Sequence, residues 1–499
     1  MNSPLPTART PAATTSCGRP IGALAAFALA ALLAALGNGG TAATAQAPAK
    51  PNIVVVMTDD QTVSQTRVMG ATRRQLRDRG VSFTRSFASF PLCCPSRATF
   101  LTGQHSHNHG VLGNGTPIGG FDALDRDDTL GVWLQDAGYH TMHVGKFLNG
   151  YGLPDPRLIP PGWDRWIAAP DRTTNRYFGY ELNEGGDLVR YGGAAGDYKS
   201  DVYTDKAVGL IRARGQLASP VAEPFFLFVG YTAPHLPAIA APRDRDRFRG
   251  RRLPRPPSFD ERNVSDKPRY VRRQRRLSAA RERKVARQHR SQLRSLLAVD
   301  AGIARIVAEL SDQGLLDETY LIFTSDNGFM SGEHRLPKGK YVPYEPSIRV
   351  PLIIRGPGLG AGARSEEPVS NVDLAPTILD LAGGRATVAI DGRSLLPFAT
   401  NPRRRSERPI FLEANTVDDP SPGIPYAGLR TARFKYVRYR SGEQELYDLA
   451  RDPHELASRH RDRHYRATRA ALARALARYR DCAGAACRAA LGAVPGPTR

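Results

Sequence analysis

Hydrophobic positions along this chain fall into short unbroken runs separated by glycine-rich turns and longer amphipathic stretches. In PNIVVVMTDD (51–60) the apolar residues do not alternate with polar ones. That pattern predicts a strand buried on both faces, as in a parallel sheet, with Asp59 and Asp60 at its carboxyl end. PFFLFVGYTAPH (224–235) reads as a second such strand running into a loop that carries His235. TLGVWLQDAGYHTMHVGKF (129–147) reads as a helix, a stop at Gly138 and a strand that delivers Lys146. LLAVDAGIARIVAELSDQGLLDETYLIFTSDNG (296–328) reads as a long amphipathic helix, a turn and a strand ending at Asp326 and Asn327. A helical stretch is expected from Arg67 to Arg79, closed by Gly80, and VPLIIRGPG and NVDLAPTILDLAG continue the alternation.

Alternating strands and helices predict an α/β fold around a large, mainly parallel sheet flanked by helices. Polar clusters at the carboxyl ends of such strands are where sites form. From about Arg404 the pattern changes. RPIFLEA, AGLRTARFKYVRY and GEQELYDLARDP read as short antiparallel strands, and YRATRAALARALARYRDC as a closing helix. The expected organisation is therefore a main domain over 50–403 and a small antiparallel α+β subdomain over 404–499.

The first 45 residues change the setting. Arg9 and Arg19 precede an apolar run from Ile21 to Leu36, followed by small residues. This is the pattern of a secretory signal, with cleavage expected after Ala45, and the run is short for a stable membrane span. An uncleaved anchor is the alternative. The mature protein is expected outside the cytoplasm, secreted or periplasmic, without stable membrane insertion. Cys17 leaves with the signal, so Cys93, Cys94, Cys482 and Cys487 remain, and Cys482 and Cys487 are natural partners in an oxidising compartment.

Formal net charge is +22. Residues 243–294 hold 20 Lys/Arg against 6 Asp/Glu. That segment reads either as a landing site for a polyanion or as a solvated face. Its proline-rich first half is expected as a surface loop, and a basic helix begins near Leu277. Nothing in it resembles a module that reads nucleic-acid grooves.

Cys93 and Cys94 are adjacent and precede Pro95, Ser96 and Arg97. Pro95 suits a first helical turn and Gly103 a stop. The two cysteines are thus expected just before a helix N-terminus, where backbone N–H groups favour an oxyanion or a thiolate. Arg97 would add a guanidinium suited to sulfate or phosphate oxygens. Asp59, Asp60, Asp326 and Asn327 make an all-oxygen set that suits Ca²⁺ or Mg²⁺. On these residues alone, the pair reads as a nucleophile poised for an anionic ester, with two packed structural cysteines as the alternative.

Cys93-Cys94-Pro95-Ser96-Arg97 with Leu101-Thr102-Gly103 resembles the C-x-P-S-R-x-x-x-L-T-G signature of the type I, formylglycine-dependent sulfatases. The resemblance covers most of the chain: the Asp59-Asp60 strand, GYHTMHVGKFLNGYG, PFFLFVGYTAPHLP, TSDNGF, KGKYVPYEPSIRVPLIIRGPG and ELYDLARDP. LCCPSR, SHNHGV and GKFLNGYG are most similar to the N-acetylglucosamine-6-sulfatase branch, whose members act on glycosaminoglycans.

The resemblance implies an alkaline-phosphatase-like sandwich. It also implies conversion of Cys93 to formylglycine (3-oxoalanine) by a formylglycine-generating enzyme, with Cys94 only the variable neighbour. Asp59, Asp60, Asp326 and Asn327, with residue 93, would hold Ca²⁺. Arg97 would steady the formylglycine, Lys146 and Lys340 would neutralise the sulfate, and His235 would serve as general acid. Lys338 is a rival to Lys340. Leu148 and Asn149 replace the G-K-W-H histidine of many sulfatases. The substrate would be a sulfated carbohydrate or aryl sulfate. A phosphoester or phosphonate hydrolase of the same superfamily and a non-catalytic polyanion binder are the alternatives. His105, His107, His109 and His334 either reach substrate or are incidental.

Overall fold

A computed structural model describes residues 50–217, 223–414 and 425–498. The segment read as a secretory signal lies outside the described residues. Ten strands form one mixed sheet: β1 (Asn52–Thr58), β2 (Val81–Phe87), β3 (His140–Gly145), β4 (Arg165–Ala168), β5 (Tyr180–Glu184), β6 (Asp187–Tyr191), β7 (Phe225–Gly230), β8 (Thr319–Ser325), β9 (Leu352–Arg355) and β10 (Ala363–Ser370). Their order is β10-β2-β9-β8-β1-β7-β3-β4-β5-β6. The central strands β8, β1, β7, β3 and β4 are parallel neighbours. On either side the sheet turns antiparallel, at β9 and at the β5–β6 hairpin.

The unbroken apolar runs follow from cover on both faces. In β1, Ile53, Val55 and Met57 join one core, and Val54 and Val56 join the other. The helix Cys93–Thr102 contributes Ala98, Phe100 and Leu101 to the first core. The 34-residue helix Ala279–Asp312 contributes Leu296, Val299, Ile303 and Ile306 to the second. Each fully buried aliphatic side chain is worth about 1.5–3 kcal/mol relative to exposure, so both helices are fastened chiefly by these contacts.

The carboxy-terminal strands β11 (Ile410–Ala414), β12 (Tyr426–Arg430), β13 (Phe434–Tyr439) and β14 (Gln444–Asp448) form an antiparallel meander, followed by the helix Arg466–Tyr479. Cys482 and Cys487 are disulfide-bonded. No helix among the described residues is long and apolar enough to cross a membrane.

Two local expectations are corrected. The stretch from Arg67 to Arg79 is broken: a helix covers only Gly70–Gln75, between 3-10 turns at Val63–Val68 and Arg77–Arg79. Asp300, on the long helix, accepts from Ala71 N–H, Thr72 N–H and Thr72 Oγ1, and so fixes where that helix starts. The helix expected after the cysteine pair begins at Cys93 itself, so both cysteines lie within its first turn together with Pro95 rather than just before its N-terminus.

Candidate active site

Four parallel strands end side by side and set the site's floor. Thr58 pairs with Ser325, Met57 with Gly230, and Gly145 with Gly230. Asp59, Asp326, Lys146 and the His235 loop therefore leave the sheet at one level. The backbones continue to hold one another past the strand ends. Asp326 N–H donates to Thr58 O (3.0 Å), Lys146 N–H to Gly230 O (2.7 Å) and Asp59 N–H to Ala233 O (3.3 Å). The close β3–β7 approach needs glycine: a Cβ on Gly145, which has φ 115°, would lie 2.2 Å from Gly230 O.

Above this floor the helix Cys93–Thr102 presents its first turn. Cys93 Sγ donates to Asp59 Oδ1 (3.2 Å) and accepts from Lys340 Nζ (2.6 Å). Lys146 Nζ donates to Asp59 Oδ2 (2.5 Å), and Lys340 also pairs with Asp60 Oδ1. Arg97 is 1% exposed. Its Nε donates to Asp326 Oδ2 (2.8 Å) and its Nη1 to Lys146 O (2.7 Å), while its Nη2 has no partner. Asn327 Nδ2 donates to Asp60 Oδ1 (2.7 Å). His235 Nε2 lies 3.8 Å from Asp60 Oδ2, and its Nδ1 is 2.7 Å from Leu236 O. Because a carbonyl only accepts, Nδ1 carries a proton and Nε2 is the atom turned to the site.

All nine residues singled out in the sequence thus meet in one place. Lys340 rather than Lys338 enters it; Lys338 is exposed. Asp60 has φ 67°, left-handed backbone that a non-glycine residue adopts at a cost of order 1–3 kcal/mol. Its N–H donates to Asp326 Oδ1 (3.1 Å), and its carboxylate is held by Asn327 and Lys340. The site's own contacts hold the strain.

The electrostatics correct one expectation. Burial pushes the Cys93 thiol well up, and Asp59 beside it adds to the rise, so the sulfur is a neutral thiol and not a thiolate. Burial likewise pushes Cys94 up to about 12. Cys94 N–H donates to Asn114 Oδ1 (3.0 Å), which takes up one free donor at the helix start. Burial opposes ionisation of Asp59, yet Lys146, His235, Lys340 and Arg97 together hold its carboxyl well below the usual range. Burial and the neighbouring Asp59 push Asp326 up. Burial works against the charges of Lys146 and Lys340, but the carboxylates around them win and raise both.

The oxygen set fits a hard cation. Carboxylate oxygens of Asp59, Asp60 and Asp326 lie within 4.8 Å of one another. Asn327 Oδ1 is buried with no hydrogen-bond partner, an unspent acceptor in the same cluster. Three carboxylates and an amide oxygen suit Ca²⁺ or Mg²⁺ rather than zinc.

The other histidines fall outside this centre. His109 is buried against Thr99, and His334 Nδ1 is 2.6 Å from Glu261 Oε2. His107 lies between Glu413 Oε2 (3.0 Å) and Cys482 O (2.9 Å), with His105 stacked on it.

Sequence reasoning missed Asn371. Its Nδ2 donates to Ser96 O (3.1 Å) and Ser96 Oγ (2.9 Å), and Ser96 Oγ in turn bonds Asp326 O. Asn371 thereby ties the back of the cysteine helix to the end of β8. It also missed Tyr177, whose hydroxyl donates to His235 O (2.8 Å) and fixes that loop. Tyr177 stands in no polar cluster at a strand end, so no local signal marks it; Asn371 is the first residue past β10 and carries the same strand-end signal as Asp59 and Asp326, which the sequence reading did not take up.

Comparison with known proteins gives concordant matches. Residues 51–384 match the Sulfatase family, and residues 332–481 match the N-sulphoglucosamine sulphohydrolase C-terminal family. An N-acetylglucosamine-6-sulfatase of Capra hircus is 31% identical over 460 residues, covering 84% of this chain and 81% of that protein. An extracellular sulfatase Sulf-1 homologue of Caenorhabditis elegans is 34% identical over 367 residues, 72% of this chain. Those residues are 51% of the nematode protein, so the chain spans about half of that relative's length. A solved structure in complex with its substrate, D-glucosamine-2-N,6-O-disulfate, superposes with a TM-score of 0.75 at 26% identity, covering 86% of this chain and 97% of that one.

Proposed function

Because the chain belongs to the sulfatase family, we propose that it is an exported hydrolase of sulfate esters on sulfated sugars, of the N-acetylglucosamine-6-sulfate type. The observation that carries this reading is Cys93 held between Asp59 and Lys340, at the edge of the oxygen cluster. The relatives named above supply the sugar class. We assign residues 1–45 to a secretory signal, 50–403 to the catalytic domain and 404–499 to a carboxy-terminal subdomain.

Asp59, Asp60, Asp326 and Asn327, with residue 93, would hold Ca²⁺, which when bound supplies Lewis-acid polarisation of a sulfate oxygen. Residue 93, if converted to formylglycine, would supply a hydrated aldehyde hydroxyl as the nucleophile toward sulfur. The neutral, buried thiol explains why the unmodified residue would be a poor nucleophile. Lys146 and Lys340, both kept as ammonium ions, offset the negative charge of the sulfate as the ester bond breaks. A charged donor preorganised in this way typically contributes 10²–10³ in rate. Arg97 holds Asp326 and the Lys146 backbone in place beneath residue 93. His235 faces the site through Nε2. Donating a proton to the leaving alcohol from that atom requires the doubly protonated ring, since Nδ1–H is committed to Leu236 O.

The test is turnover by protein co-produced with a formylglycine-generating enzyme. N-acetylglucosamine-6-sulfate and an aryl sulfate should be hydrolysed far faster than the matching phosphate and phosphonate esters. A preference for phosphorus by several orders of magnitude would overturn the assignment.

A further inference from the structure

The basic segment 243–294 folds into a surface with a direction. Arg283, Arg287, Arg290 and Arg294 stand at i, i+4, i+7 and i+11 of the helix Ala279–Asp312, hence on one face. The first half of the segment lies along this face as a loop. Arg290 Nη1 donates to Arg251 O (3.4 Å) and Arg294 Nε to Arg247 O (2.5 Å). The nearby carboxylates are already taken: Asp201 by Arg243, Asp246 by Arg245 and Arg249, and Glu282 by Arg255. Among the described residues, Arg251, Arg252, Arg283, Arg287, Arg290 and Arg294 have no ion-pair partner. An ordinary solvated face pairs its charges of both signs; here the few carboxylates are engaged by other arginines and these six are left unpaired.

The surface leads to the catalytic loops. His289, on the same helix, is held down to about 4 chiefly by burial, and the charges of Arg251 and Arg290 add to the fall. His289 also lines a cavity of about 920 Å³ whose walls include Arg67, Arg255 and Phe329. Thr62, on one wall, is two residues beyond Asp60, and Phe329 is two residues beyond Asn327. The arginine face, the cavity and the two loops that carry the aspartates are therefore neighbours. From Arg283 to Arg294 the face runs about 16 Å along the helix axis, longer than one sulfated sugar needs.

We propose that this arginine face is a docking surface for a sulfated polysaccharide, which holds distant sulfates of the chain while one ester is in the catalytic centre. The proposal rests on the sulfatase reading above and adds the size of the substrate: a polyanionic chain, captured electrostatically. Clustered guanidinium groups match sulfate oxygens.

Arg252, Arg283 and Arg287 are exposed, and among the described residues their side chains make no hydrogen bond or ion pair. The combined variant Arg252→Ser/Arg283→Ser/Arg287→Ser of the full mature chain should fold and keep its activity on a monosaccharide sulfate. On a long sulfated oligosaccharide its kcat/KM should fall by about tenfold, with a flatter dependence on salt. Retention on immobilised heparin should weaken in parallel. That retention, measured also in Cys93→Ala, supports the surface even where no ester turns over, so failure of the sulfatase reading remains distinguishable. Unchanged heparin retention in the triple variant, or equal loss on monosaccharide and oligosaccharide, overturns the proposal. Wild-type protein that binds duplex DNA or anionic vesicles as tightly as heparin overturns the choice of partner.

Discussion

His107 offers a quantitative test of the buried charge behind the cysteine helix. Nδ1 faces a carboxylate oxygen of Glu413, and Nε2 faces the carbonyl of Cys482. Neither partner can donate, so both nitrogens must, and the ring is an imidazolium. Burial opposes that charge, but the Glu413 hydrogen bond and the charges of Glu413 and Asp391 raise the ring from 6.5 to about 9. Such a rise is worth ~3 kcal/mol at about 1.4 kcal/mol per pH unit, and we take ~2 kcal/mol after allowing for partial solvent screening. Since the folded value lies above the unfolded one, this stability is fully present below pH 6.5 and is lost as pH rises through 9. Chemical denaturation of wild type and His107→Gln between pH 6 and 9.5 reads it directly. The advantage of wild type over the variant should shrink by ~2 kcal/mol across that window. A difference that stays constant with pH, or one that grows, would refute the imidazolium.

Three further outcomes follow from the same contacts. Lys146→Ala and Lys340→Ala should each lower kcat/KM for a sulfate ester by about 10²–10³; steady-state kinetics at saturating Ca²⁺ would show it. Chelation should abolish activity and lower the melting temperature, and Ca²⁺ should restore both, because a cation that binds only the folded state stabilises it by mass action. Cys482→Ser/Cys487→Ser should lose about 2 kcal/mol from the five-residue loop it opens; because Cys482 O holds His107 and Asn108, and Gly484 N–H holds Asp391, activity should fall as well.

Much of the centre was legible because unbroken apolar runs end where the chain leaves a parallel sheet. Asp59, Lys146 and Asp326 are the first residues past β1, β3 and β8, and their side-by-side arrangement follows from strand order alone. The family signature pointed to residue 93 and to Lys340 over Lys338, and the structure brings both residue 93 and Lys340 into the centre. What escaped depends on contacts between distant segments. β9 reads like its parallel neighbours, yet it lies antiparallel to β8 and β2; a short buried run does not encode its direction. The start of the helix at Gly70 is set by Asp300, some 230 residues away, so local periodicity over-extended it. The thiolate expected at a helix N-terminus is absent because Asp59 and burial outweigh the helix dipole, a balance invisible without the sheet in place. Asn371 reaches the centre through Ser96, on a helix brought to it by the fold.

The central claim is that residue 93 is the converted nucleophile. Mass spectrometry of the tryptic peptide from Ser86 to Arg97, taken from a preparation that hydrolyses sulfate esters, tests it most directly. The account predicts the aldehyde at position 93 and an ordinary thiol at Cys94. An active preparation in which position 93 is wholly unmodified cysteine would contradict it.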